Sequence, residues 1–392
     1  MQAFSLYLHI PFCRRRCSYC DFNTCAGRED RIADYLSALL VEIEKVAAKA
    51  ARPLPVHTVY FGGGTPSLLT ASQVDSLLQT IARYFVLSDD AEVTLEANPG
   101  TVGPDQLHRL RLAGVNRLSF GMQSAHADEL ELLQRLHDTR GVIGAVKWAR
   151  QAGFDNLSLD LIYGLPDQPL ARWQATLETA IRLGPEHLSL YALTLEPGTR
   201  LYDWAARGLV NWPDDDLAAD MVVWAMQRLE EAGFRQYEIS NWARAAADGS
   251  LLMSRHNLQY WRNQPYLGFG AGAHGSANGV RTANVADLEL YLTACQEKPA
   301  GRFPAGPAVE TILEIDRTSE MQETMMVGLR LTEEGVSQAV FLERFGEPMQ
   351  AMFGREIEEL IGHGLLEWTE GDRLRLTRRG RMLGNQAFMH FV

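Results

Sequence analysis

Three cysteines are packed into one short stretch, Cys13-Arg14-Arg15-Arg16-Cys17-Ser18-Tyr19-Cys20. Thiolates at such close spacing are the ligands that iron–sulfur clusters use. Three of them leave one iron of a four-iron cluster open, as a reactive metal site requires, whereas structural sites are closed by four protein ligands. The intervening arginines favour ionised sulfurs electrostatically. A structural zinc site completed by Cys25 or His9 uses the same kind of spacing and stands as the alternative at this point. A second stretch, Gly62-Gly63-Gly64-Thr65-Pro66, lacks side chains where a backbone could approach a ligand closely, and no Lys-Ser or Lys-Thr follows to make it a P-loop.

These residues need a scaffold that brings distant segments together. From residue 5 to about 195, short β-branched or aromatic runs alternate with longer amphipathic ones, the pattern of repeated βα units with parallel strands. The spacing predicts strands over 5–10, 57–61, 92–97, 116–120, 156–162 and 187–193, with helices such as 32–49 and 71–84 between them. Six units make an incomplete barrel or a strongly curved sheet. The residues that could do chemistry fall at one edge of it. The cysteines follow strand one, the glycines follow strand two, Glu96 ends strand three, Gln123 follows strand four and Asp160 lies toward the end of strand five. In parallel α/β folds that edge carries the active site.

The 392 residues, 46% hydrophobic and 22% charged, allow one large domain and a smaller one. A net charge of −12 repels phosphate backbones and anionic membranes, which argues against nucleic acid as a partner. No signal peptide or membrane-spanning run is read in the sequence, so a cytoplasmic protein is expected. Four of the five cysteines lie between positions 13 and 25, too close for a secreted disulfide framework. The pattern changes beyond residue 200. Trp212-Pro213-Asp214-Asp215-Asp216 reads as a turn into a helix ending near 232, residues 296–308 read as a linker, and 309–392 read as helices followed by a hairpin over 365–369 and 373–376. That order is similar to a small winged-helix domain, with no clear basic face for DNA.

The loop Tyr7-Leu8-His9-Ile10-Pro11-Phe12-Cys13, continued by the two later cysteines, resembles the CxxxCxxC signature of the radical S-adenosylmethionine (SAM) superfamily. The resemblance implies an α/β fold, a partial (β/α)6 barrel with a smaller C-terminal α+β domain of winged-helix type. It also implies that Cys13, Cys17 and Cys20 hold a [4Fe-4S] cluster whose open iron chelates SAM, with Cys25 and Cys295 as spectators. Gly63, Gly64 and Thr65 match the family's glycine-rich SAM loop, and Tyr7, Glu96, Gln123, Arg135 and Asp160 match SAM-contacting positions of the HemN/HemW branch. Each of these taken singly is also an ordinary strand-end polar residue; a carboxylate can accept from ribose hydroxyls and an arginine can pair with a carboxylate.

Within that branch, coproporphyrinogen III dehydrogenases extend the motif to a fourth cysteine, where this sequence has Phe22, and carry an extension ahead of a strand that here is expected from Ser5. His256-Asn257-Leu258-Gln259-Tyr260-Trp261 matches the HNxxYW motif of HemW-type haem chaperones, and the following Gly270-Ala271-Gly272-Ala273-His274-Gly275 is similar to theirs. The resemblance therefore implies His256 as a haem ligand, beside aromatic surface from Tyr260 and Trp261, with His274 as the weaker candidate. A histidine simply packed among aromatics is the rival reading. The expected organisation is a barrel over 1–205, an extension carrying the haem segment over 206–300 and a C-terminal domain over 301–392. The expected function is haem delivery to acceptor proteins such as haem-dependent respiratory enzymes, with transient membrane contact and a homodimer as arrangements the resemblance allows. A HemN-like radical enzyme acting on a small molecule is the alternative.

Overall fold

The computed structural model describes residues 3–392. Six strands follow one another in parallel, β1 (Phe4–Ile10), β2 (Pro55–Gly63), β3 (Val86–Ala97), β4 (Arg117–Gln123), β5 (Leu157–Tyr163) and β6 (His187–Ala192). They coincide with the six expected, because each is a run of β-branched, leucine and aromatic residues between turn residues. The sheet then continues on both sides. β7 (Phe234–Glu238) and β8 (Asn241–Arg244) form a hairpin beside β6, while β9 (Tyr266–Phe269), β10 (His274–Ala277), β11 (Val280–Asn284) and β12 (Val309–Glu314) extend beyond β1. The order is β12-β11-β10-β9-β1-β2-β3-β4-β5-β6-β8-β7, with β9 parallel to β1 and the remaining added pairs antiparallel. A seventh parallel strand, β9, was not expected. It is four residues long and flanked by glycine and proline, too short to announce itself by alternation.

The two faces of the parallel strands differ in kind. Leu6, Leu8 and Ile10 of β1, Val59 and Phe61 of β2, and Leu118 and Phe120 of β4 pack outward under the helices and form one core with Leu39, Leu77 and Leu107. The inward residues are polar: Ser5, Tyr7, Thr58, Tyr60, Glu92, Glu96, Arg117, Ser119, Ser158, Asp160, His187 and Ser189. A polar barrel interior must satisfy its groups internally or with a ligand.

The helix Arg255–Trp261 closes the barrel at its lower end. Ser254 caps it by accepting from the Asn257 N–H, and the Glu92 carboxylate accepts from the Arg255 and His256 N–H groups at 3.0 Å each, a negative charge at the positive helix end. The stretch 296–308 is no free linker. Ala300, Ala305 and Ala308 are buried, Phe303 meets Phe4 edge-on at 6.5 Å, and β12 that follows adds to the main sheet. Its prolines and glycines mark turns, which composition alone does not distinguish from a tether.

The C-terminal part has its own core of Met325, Phe341, Phe353, Ile357, Leu360, Leu374 and Leu376. Helices Arg317–Gly328, Gln338–Phe345 and Met349–Gly362 pack on a three-stranded antiparallel sheet that contains the expected hairpin, Leu366–Trp368 with Arg373–Leu376. It docks on the barrel through Arg262–Glu334 and Arg281–Glu323 ion pairs and an Arg330 guanidinium 4.5 Å above the Trp261 ring. Among the described residues no helix is long and apolar enough to cross a membrane.

Candidate functional site

The chain leaves β1 at Pro11 and enters the cysteine loop, which is tied down before any ligand is considered. Phe12–Cys13 pairs with Cys25–Ala26 as a two-residue ladder, Arg16 donates to the Cys20 and Phe22 carbonyls at 3.1 and 3.3 Å, and the Cys20 N–H bonds the Cys17 carbonyl. Arg14, Arg15 and Arg16 are exposed, so Arg16 shapes the loop as well as adding charge. The glycine loop lies directly against it. A Cβ on Gly64 would stand 2.7 Å from the Pro11 and Phe12 carbonyl oxygens, and one on Gly63, whose φ is +109°, would meet the His9 ring at 2.5 Å. Thr65 donates to the Cys13 sulfur at 3.4 Å. What the glycines approach closely is therefore the cysteine loop itself.

Above this floor of backbone lies a cavity of about 390 Å³. Cys13, Cys17 and Cys20 line it together with Gly63, Gly64, Thr65, Glu96, Gln123, Arg135 and Asp160, so every residue expected at the cluster and SAM sites except Tyr7 reaches one space. Gln123 ends β4 in the left-handed region (φ 63°), a conformation that costs a non-glycine residue on the order of 1 kcal/mol and is characteristic of functional sites. Gly121 makes room for it. A Cβ there would fall within 3 Å of both the Gln123 amide nitrogen and an Arg135 guanidinium nitrogen.

Arg135 donates to the Cys17 sulfur at 3.3 Å and to the Gly121 carbonyl at 3.0 Å, while its buried Nε has no partner among the described residues. An unpaired buried donor beside a thiol is a place prepared for an anionic group. Glu96 accepts from the Tyr60 hydroxyl at 2.8 Å and from the Gly63 N–H at 3.3 Å, and burial still lifts its carboxyl to about 7. Asp160, held by Ser119 and Ser158 hydroxyls, is also raised by burial. Burial pushes the Cys13 thiol up to about 11. The residues present fit a cluster with an amino-acid ligand: three thiols, an unsatisfied guanidinium donor and two carboxylates able to accept from hydroxyls. Among the described residues no three His, Cys, Asp or Glu side chains converge on one metal-sized point. His9 is spoken for at both nitrogens, by the Tyr7 hydroxyl at 3.0 Å and the Asn23 carbonyl at 2.8 Å. Cys25 lies in the small ladder and Cys295 is buried in the core.

Tyr7 faces a neighbouring cavity, also about 390 Å³, that shares Phe22, Gly63 and Glu96 with the first. Tyr260, Tyr266 and His274 complete its walls. His256 lies one layer lower, 1% exposed and stacked on the Tyr60 ring at 4.8 Å. Its Nδ1 is 2.8 Å from the Thr58 hydroxyl and its Nε2 2.9 Å from the Tyr260 hydroxyl, and burial depresses it to about 3. With Thr58 donating onward to Ser5, the neutral ring gives its proton from Nδ1 and accepts Tyr260 at Nε2, which leaves no lone pair facing a cavity. Trp261 turns toward the C-terminal domain. Residues that sequence reading passed over are Tyr60, Ser119, Tyr191 and the 2%-exposed Arg117, all inward on their strands. Period-two alternation of polar residues in β2, β4 and β6 is the signal that could have found them.

The radical SAM superfamily model matches residues 7–180 and the HemN C-terminal domain model matches residues 315–383. The chain is 39% identical over 389 residues to the heme chaperone HemW of Bacillus subtilis, covering 99% of each chain. It is 38% identical over 392 residues to the heme chaperone HemW of Mycobacterium tuberculosis, covering 98% of this chain and 93% of that one. In fold it is similar to the solved coproporphyrinogen III oxidase HemN of Escherichia coli, with a TM-score of 0.82 at 24% identity over 100% of this chain and 90% of that one. With that identity along almost its entire length, the chain belongs to the HemW heme-chaperone family of the radical SAM superfamily.

Proposed function

We propose that the protein holds a [4Fe-4S] cluster through Cys13, Cys17 and Cys20, binds SAM in the adjoining cavity, binds haem and hands it to acceptor proteins. The observation that carries the reading is the meeting of the three thiols, the unpaired Arg135 Nε and the Glu96 and Asp160 carboxylates around one cavity. A bound cluster with an open iron would supply a site for the amino and carboxylate groups of SAM. The chain's own residues do the rest. Arg135 reaches a carboxylate at the cluster edge, Glu96 and Asp160 accept from ribose hydroxyls, Gln123 and the Gly63-Gly64-Thr65 backbone border the ligand, and Tyr7 backs Glu96 from the second cavity. Haem binding and delivery rest on family membership and on the names of the relatives. His256 can serve iron only if Tyr260 releases its Nε2.

The test is anaerobic reconstitution with iron and sulfide, haem titration by absorbance, then transfer to an apo-haem protein. Stable haem binding followed by transfer is expected; a protein that binds SAM but no haem would overturn the chaperone reading. The completeness of the SAM cavity favours a second reading, a radical enzyme acting on a small molecule. It predicts conversion of SAM in step with a modified product.

A further inference from the structure

We infer that Arg117, enclosed in the barrel beneath the cluster-side cavity, is the fixed positive charge against which the Glu96 and Asp160 carboxylates are held, and so is a positioning residue for the ligand of that cavity. The inference rests on the SAM-binding reading above and gives a role to a side chain that does not itself line the cavity. Arg117 opens β4 on its inward face, opposite Thr94 of β3, which stands opposite Tyr60 of β2. It is 2% exposed, and among the described residues its Nε has no partner and no carboxylate pairs with it. A guanidinium cannot shed its charge as a buried carboxyl or imidazole can, so the surroundings must balance it.

The hydrogen bonds of the cavity carboxylates show where that balance lies. Tyr60, in the same cross-strand row as Arg117, donates to Glu96, and Ser119, the next inward residue of β4, donates to Asp160. Each carboxylate thus hangs from an immediate neighbour of Arg117. Those donors, with the Gly63 N–H and the Ser158 hydroxyl, are all neutral: they orient a carboxylate but bring no opposite charge. Of the other cations, Arg135 is committed to the Cys17 sulfur, and Arg15 and Arg16 are exposed on the cysteine loop. The remaining carboxyls nearby serve elsewhere, Glu92 at the Arg255 and His256 N–H groups and Glu238 at Asn241 and, 4.0 Å away, Arg330.

Burial raises both cavity carboxyls, and the Arg117 charge is among the forces that draw them back down. Burial, with the same charge behind it, depresses His187 and His256, so neither imidazole competes as a cation. Tyr7, Tyr191 and Tyr260, like Tyr60 and Tyr237, are lifted by burial and face the site as neutral phenols. A carboxylate must be ionised to accept from two ribose hydroxyls at once, and Arg117 is the group that favours ionisation in a wall that otherwise opposes it.

The experiment is calorimetric titration of the full-length, anaerobically reconstituted protein with SAM across a pH series, with thermal melting of each variant in parallel. Arg117→Met is expected to weaken binding about tenfold at neutral pH and to move the midpoint of the binding profile upward by about one pH unit, because carboxyls deprived of the cation ionise later. Arg117→Lys is expected to restore most of both, and Arg117→Met is expected to cost less affinity when Glu96→Gln is already present. Arg117→Gln, which keeps polar volume without charge, serves if Arg117→Met does not fold. A folded charge-free variant with the parent's affinity and profile, or one that loses affinity equally at every pH, would overturn the inference and leave the SAM-binding reading standing. Absence of SAM binding by the unaltered protein would overturn both.

Discussion

The upper and lower layers of the barrel interior are both polar, yet the lower is more nearly closed on itself. In the lower layer the histidines and Gln259 have found protein partners, and among the described residues the Arg117 Nε and the Thr94 hydroxyl are left over. His256 joins Thr58 and Tyr260, Ser5 meets His57, His57 meets Gln259, and Gln259 donates to the Ala3 and Pro265 carbonyls. In the upper layer an Arg135 nitrogen has no partner, two carboxylates are raised by burial, and Gln123 keeps a strained backbone. A closed hydrogen-bond network stabilises the fold, whereas an incomplete one around a cavity is completed by what binds there. A shared motif thus contains residues fixed by the chain and residues reserved for a ligand, and hydrogen-bond partners separate the two.

The sharpest attack on the upper layer is Cys17→Ala. It should abolish cluster assembly, measured as iron and sulfide content after reconstitution, while circular dichroism shows the barrel still folded; retained iron and SAM binding would remove Cys17 from the ligand set. On the lower layer, His256→Ala should cost about 3 kcal/mol of stability in denaturant unfolding, because it opens a void and strands the Thr58 and Tyr260 hydroxyls. At the seam between the loops, Gly64→Ala should cost about 2 kcal/mol by pressing on the Pro11–Phe12 backbone and should loosen cluster retention through Thr65.

A smaller effect is expected from pH. The folded carboxyl of Glu96 titrates near 7 against an ordinary value of 4.5, so its contribution to stability is complete below 4.5 and is lost as pH rises through about 7. Metal-free protein should lose stability across that window through this group, and Glu96→Gln should flatten the profile. An identical profile in the variant would mean that Glu96 ionises freely. The least effect belongs to His274→Ala, whose stability should stay within about 0.5 kcal/mol of the parent, as for an exposed residue outside any network.

Much of the scaffold was legible in the sequence because β1 to β6 are written in long apolar and β-branched runs. The expected 71–84 helix matches Ala71–Tyr84, whose Thr70 and Gln73 form a capping box. β7 to β11 are four or five residues each, and β9 finds its parallel place beside β1 through long-range register that no local pattern contains. The cysteines, the glycine loop, Glu96 and Asp160 could be read because spacing after predicted strands put them on one edge. Tyr60 and Arg117 could not, since an inward-facing residue declares itself only when its neighbours' register is known. The bonds on His256 were equally hidden, being made to Thr58 198 positions earlier in the chain and to a tyrosine one helical turn away.

The helix Arg255–Trp261 stoppers the barrel from below, and the two cavities share a wall at Gly63 and Glu96. A change at that wall is therefore felt on both sides: whatever displaces the Glu96 carboxylate from one space reshapes the other, so the two spaces are coupled through a single side chain.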